Sequence, residues 1–123
     1  MAKQAPDATI DAMFDYVDLC NIMHVCSAEP ANYAGIAAVS LASVALTPNT
    51  DFTKANGDTS GRKVTVAAKS GVSVASSGTA THIVIALTTD STLRYVTTCT
   101  SQALTAGNTV NIPAWKIEVA DPT

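Results

Sequence analysis

The chain has 123 residues and a formal net charge of -3, with 47% apolar and 14% charged residues. That length fits one domain able to bury a core without metal or disulfide staples. The absence of a basic patch excludes duplex nucleic acid as its main partner, and no apolar run approaches the ~18 residues of a membrane span.

Taken in chain order, residues 1–8 read as a flexible arm and 9–123 as a single β-rich domain. The start, MAKQAPDATIDAMFD, lacks the apolar stretch of a signal peptide, so synthesis in a cytoplasm is expected. Ile10, Met13, Phe14 and Val17 recur at helical spacing. Asp7, behind Pro6, is the expected N-cap, with Thr9 as an alternative. Asp11, Asp15 and Asp18 fall on the other side and are expected in solvent. The helix should end between Leu19 and Asn21.

IMHVC, residues 22–26, predicts a short strand that Pro30 helps to terminate. Residues 30–36 read as a loop. Residues 37–47, AAVSLASVALT, mix alanine with β-branched residues and are assigned to a strand, with helix as the alternative. Residues 48–61 carry turn chemistry throughout, so a long loop is expected, tucked onto the core by Phe52.

From Arg62 the alternation is that of a sheet. Val64, Val66 and Ala68 share one face, Gly71 marks a break, and Ser76-Ser77-Gly78 turns. HIVIAL, residues 82–87, is apolar enough for a central strand, and Thr89-Asp90-Ser91 forms a hairpin turn. LRYVTTCT then places Leu93, Tyr95, Thr97 and Cys99 on one face. Thr105 to Asn108 turns again. VNI (110–112) and WKIEV (115–119) finish the domain, with Trp115, Ile117 and Val119 facing one way. Crossover helices are lacking between these strands, which excludes a parallel sheet. The expected fold is mainly β: an antiparallel β-sandwich or small barrel with one N-terminal helix covering an end or a face.

Candidate sites are few. Cys20, Cys26 and Cys99 are an odd set with the wrong spacing for zinc and read as small buried hydrophobes. Gly57-Asp58-Thr59-Ser60-Gly61 has the look of a serine nucleophile loop but is better explained as a turn, since a nucleophile needs a base and an orienting carboxylate. His24 and His82 lie in apolar strand contexts and read as structural, placed to hydrogen-bond across adjacent strands. Trp115 reads as a core aromatic with its N–H at the rim, and a sugar site using Trp115 or Tyr95 is the weaker option. The expectation is therefore a non-enzyme with no catalytic residue, no metal and no cofactor.

MHVCSAEP, SGRKVTVAAKSGV, GTATHIVIALTTDSTLRYVTT and LTAGNTVNIPAW resemble segments of small structural proteins of tailed bacteriophages, over nearly the whole chain. The resemblance implies a virion component without a catalytic motif. Placed on the shell, it would be a capsid decoration or cement protein that bridges neighbouring subunits. The alternative is a neck, tail, baseplate or fibre-associated protein, with a host-glycan role in the fibre case. Its partners would be the major capsid protein or other virion proteins and further copies of itself, with no direct nucleic acid and no membrane. The composition agrees with such a life. Ser and Thr replace charged residues, and burying a Thr avoids the ~2 kcal/mol of side-chain entropy that burying Lys or Glu can cost. The expected contacts are the arm 1–8, the loop 48–61 and the tail after Val119.

Overall fold

The structure is a computed structural model and describes residues 5–121. Helix α1 spans Asp7–Val17 and buries Ile10, Phe14 and Val17. Pro6 occupies the cap position and no side chain caps the helix. Asp7 is therefore the first helical residue rather than the N-cap, where its carboxylate still suits the positive end of the dipole. Asp7 and Ala8 thus belong to the helix, while residues 1–4 of the expected arm lie outside the described residues. Met13, expected inside, is 56% exposed. The helix closes at Val17, earlier than its apolar pattern implied.

Nine strands follow: β1 Ile22–Cys26, β2 Ser40–Ala45, β3 Phe52–Asn56, β4 Arg62–Val66, β5 Lys69–Ser73, β6 Gly78–Leu87, β7 Thr92–Leu104, β8 Thr109–Ile112 and β9 Trp115–Val119. All pairings are antiparallel. The order is β2-β1-β6-β7 in one sheet, β3-β4-β9 in a second and β5-β8 in a third. A bridge from Ala42 to Val74 joins β2 to the chain just after β5. The sheets stack as a sandwich and do not close into a barrel.

Most of the core lies between these layers. Met23, Val25, Ile83 and Ile85 meet Phe52, Val64, Val66 and Ile117, and α1 covers one end with Ile10 and Phe14. A smaller cluster of Cys26, Ile36, Val84 and Ala86 sits on the other face of β1 and β6. A 3₁₀ turn, Tyr33–Gly35, and the short helix α2, Ile36–Val39, pack on it. This explains the unbroken apolar run of β6. Both of its faces are buried, as in strands covered from two sides.

Three expectations are corrected. Residues 37–47 divide between α2 and β2: the alanine-rich beginning is helical and Ser40 onward is extended. Residues 48–61 are not one loop, since Phe52–Asn56 pairs with β4. Leu93 does not share a face with Tyr95 and Cys99. The register slips between Ile85 and Ala86, so Tyr95 opposes Ile85 while Leu93 opposes Ala86. Arg94 is the extra residue of that bulge, and the strand changes face across it.

Candidate functional site

Arg94 uses its displaced position to clamp α1. Its guanidinium donates to the Tyr16 carbonyl at 2.6 Å and to Asp90 Oδ2 at 2.8 Å, and lies 3.7 Å from the Tyr16 ring centroid. A cation at the last helical carbonyls suits the negative end of the dipole, and its place over the ring adds a cation–π contact. Hydrogen bonding by the Thr92 hydroxyl, then Arg94, holds the Asp90 carboxyl below the usual carboxylate range.

The helix is also tied to the second sheet by charge. Arg62 donates from Nε and a terminal nitrogen to both oxygens of Asp11, at 2.9 and 3.2 Å. Lys54 bonds Asp15 and lies 3.2 Å from Asp18 Oδ2. Asp18, expected in solvent, is 3% exposed, and its Oδ1 has no partner. Burial pushes its carboxyl up, with Lys54 opposing.

The residues with catalytic chemistry are separated and occupied. His24 Nδ1 is 2.9 Å from Ser40 Oγ, and His82 Nδ1 is 2.8 Å from Thr81 Oγ1. They do lie on adjacent strands, but His24 opposes Val84 and His82 opposes Cys26, so the expected bond between them is replaced by bonds to hydroxyls. Burial lowers the pKa of His24. Ser60 Oγ accepts from the Asp121 backbone N–H at 3.1 Å, within a turn closed by Gly57 N–H donating to the Gly61 carbonyl. The hydroxyl thus fastens a turn to the last strand's exit.

Cys20 and Cys26 are fully buried, and burial pushes each thiol up to about 11. Cys99 is half-buried and free, its thiol also raised by burial. Among the described residues, no three His, Cys, Asp or Glu side chains cluster to hold a metal ion. Among the same residues, no helix is long and apolar enough to cross a membrane.

Sequence reasoning did not reveal a cavity of about 330 Å³ between β7 and the β8–β9 corner. Val25, Ile83, Leu104, Val110 and Ile112 supply most of its apolar surface, and Thr97, Thr98, Thr100, Gln102 and Asn111 its uncharged polar one. Trp115 forms one wall, its ring stacked on Tyr95 with centroids 6.0 Å apart. The cavity follows from a second slip in β7. Ala80 opposes Gln102 but His82 opposes Thr98, so extra β7 residues arch out of the ladder.

The fold and these side chains define a mainly β, antiparallel, sandwich-like protein with an N-terminal helix and an open apolar cavity. No protein-family model, curated protein or solved structure matches the chain.

Proposed function

We propose that the chain is a non-enzymatic structural component of a tailed-bacteriophage virion, a decoration protein that stabilises the shell by bridging neighbouring subunits. The observation that carries this reading is the outer side of α1. Met13, Tyr16 and Leu19 are 56%, 50% and 44% exposed, the large apolar side chains left outside the core among the described residues. Met13 and Tyr16 stand about one turn apart on α1, and Leu19 follows in the turn that ends it. An apolar patch on a surface poor in charge suits burial against a partner, where core contacts favour apolar and aromatic side chains over Lys and Glu. The likeness of the four quoted segments to phage structural proteins supplies the setting.

Of the expected contact regions, 48–61 is not a loop throughout, because its middle is the edge strand β3. The patch on α1 takes its place in the proposal. Such a contact gains strength from repetition under symmetry rather than from any one copy.

The test adds purified protein to undecorated shells and follows binding by sedimentation and particle survival on heating. The double variant Met13→Lys, Leu19→Lys should fold normally and bind about tenfold or more weakly, since charge at an apolar contact centre costs more than about 1.4 kcal/mol. Equal binding of wild type and variant removes the role of this face, and no binding of wild type removes the shell reading. Density for the chain in the neck or tail of intact particles would move the same structural role there.

A further inference from the structure

We propose that the cavity between β7 and the β8–β9 corner binds a compact, neutral, mainly apolar small molecule bearing one polar group. The inference does not depend on the virion reading. The cavity opens to solvent on one side. A space of about 330 Å³ falls within the size range of ligand pockets.

The lining selects the chemistry. Val25 and Ile83 come from the inner face of the first sheet, and Val110 and Ile112 from β8. Over this apolar part of the lining water lacks partners, and an apolar ligand displaces it at little cost, while Thr97, Thr98, Thr100, Gln102 and Asn111 hold water at the polar part. The one charged side chain in the lining is Lys116, and it is engaged by Asp58 and Glu118. No carboxylate lines the space. An anion would have to compete with two carboxylates for Lys116, and a cation would find no counter-charge. Both would pay a desolvation cost.

One polar group is accommodated. Thr97 and Gln102 line the cavity and make no side-chain hydrogen bond among the described residues. Each offers donor and acceptor capacity to a hydroxyl or carbonyl. The Tyr95 stack fixes the plane of Trp115, so one wall is set before a ligand arrives.

The intact protein carries two reporters at this site. Trp115 is the sole tryptophan. Cys99 lines the cavity and is the one cysteine that is not fully buried. Menthol, a compact neutral alcohol, is the probe, and glucose is the polar comparison. Menthol should shift Trp115 emission with a dissociation constant on the order of 0.1–1 mM, the range open to a ligand of this size. At saturation it should slow iodoacetamide alkylation of Cys99, read by peptide mass, by about fivefold or more through occupancy of the site. Val110→Phe and Thr97→Phe fill the cavity from opposite walls. A variant that keeps the wild-type circular dichroism should lose both responses. Absence of both responses in wild type overturns the proposal, as does their persistence in a folded cavity-filled variant. A response to glucose in place of menthol also overturns it and assigns the site to glycan. Protection of Cys99 found in assembled particles but not with menthol overturns it in favour of a partner chain.

Discussion

Replacing Lys54 by Met isolates the buried carboxylate of Asp18. Asp18 is 3% exposed, one of its oxygens has no partner and the other faces Lys54 at 3.2 Å. Removing one member of a fully buried ion pair costs about 3–5 kcal/mol. The Lys54 side chain is 26% exposed, so water takes over part of its role and about 2 kcal/mol is expected at pH 8. For a domain of this size that lowers Tm by about 8 °C. The loss must depend on pH. Burial already raises the folded pKa of Asp18 above its ordinary 3.8, and Lys54 opposes that rise. Without Lys54 the rise is larger. A raised group supports the fold fully below its unfolded pKa and loses that support as pH rises through the folded value. The penalty of the variant should therefore be small near pH 4 and grow towards pH 8. Asp18→Asn removes the charge, so adding Lys54→Met to it should cost no more than about 1 kcal/mol. Urea unfolding followed by Trp115 emission at pH 4, 6 and 8 measures all four members of the cycle. A wild-type-to-variant difference that is flat in pH, or a double variant no better than Lys54→Met alone, refutes the reasoning.

Two glycines with nearly the same positive φ should respond differently to alanine. Gly61 has φ +69° and an added Cβ would lie 1.9 Å from the Val119 carbonyl oxygen, whereas Gly71 has φ +66° and open space. Gly71→Ala should cost about 1 kcal/mol of left-handed strain, and Gly61→Ala at least about 3 kcal/mol because backbone must move as well; equal shifts in melting temperature would contradict this. His24, whose pKa is lowered by burial, supports the fold above its ordinary 6.5 and loses that support as pH falls. His24→Gln should flatten the decline in stability between pH 7 and pH 5, measured by thermal melts, and an unchanged slope would show that His24 is not its source.

How much of the fold was legible depended on what each strand's inward side carries. β1, β6 and β9 announce themselves because their buried positions are apolar. β3 does not, although it is paired throughout with β4. Phe52 opposes Val66 and Lys54 opposes Val64, so Lys54 stands on the same side as the core valines. Its slot is polar because Asp18, the residue that ends α1, meets it there. The same pairing hid both partners. Asp18 read as a solvated helix residue and Lys54 as part of a loop, whereas Asp18 is buried beside a half-buried Lys54 that also reaches Asp15. An alternation rule counts hydrophobes and has no entry for an inward ion pair contributed by two elements distant in sequence.

The cavity was hidden for a different reason. Every residue of LRYVTTCTSQAL is compatible with a straight strand, and straight alternation puts Leu93 and Cys99 on one side. The strand instead slips twice against β6, once at Arg94 and once between Thr98 and Gln102. The first slip turns Leu93 towards the smaller cluster and leaves Arg94 free to hold α1 by the Tyr16 carbonyl. The second lifts the strand over the β8–β9 corner, where side chains too small to fill the gap, Thr97 and Cys99, face Val110 and Trp115. Bulges bend an edge strand and disrupt its ladder, which protects the edge from indiscriminate pairing. In β7 both consequences follow from where the extra residues fall: one bulge locks the helix whose outer face is proposed to meet a partner, and the other opens the space proposed to hold a ligand. Restoring a regular register by deleting the two extra arched residues, Thr100 and Ser101, should therefore shrink the cavity and abolish the menthol response while leaving the α1 face and shell binding intact. Loss of both together would show that the two regions do not act independently.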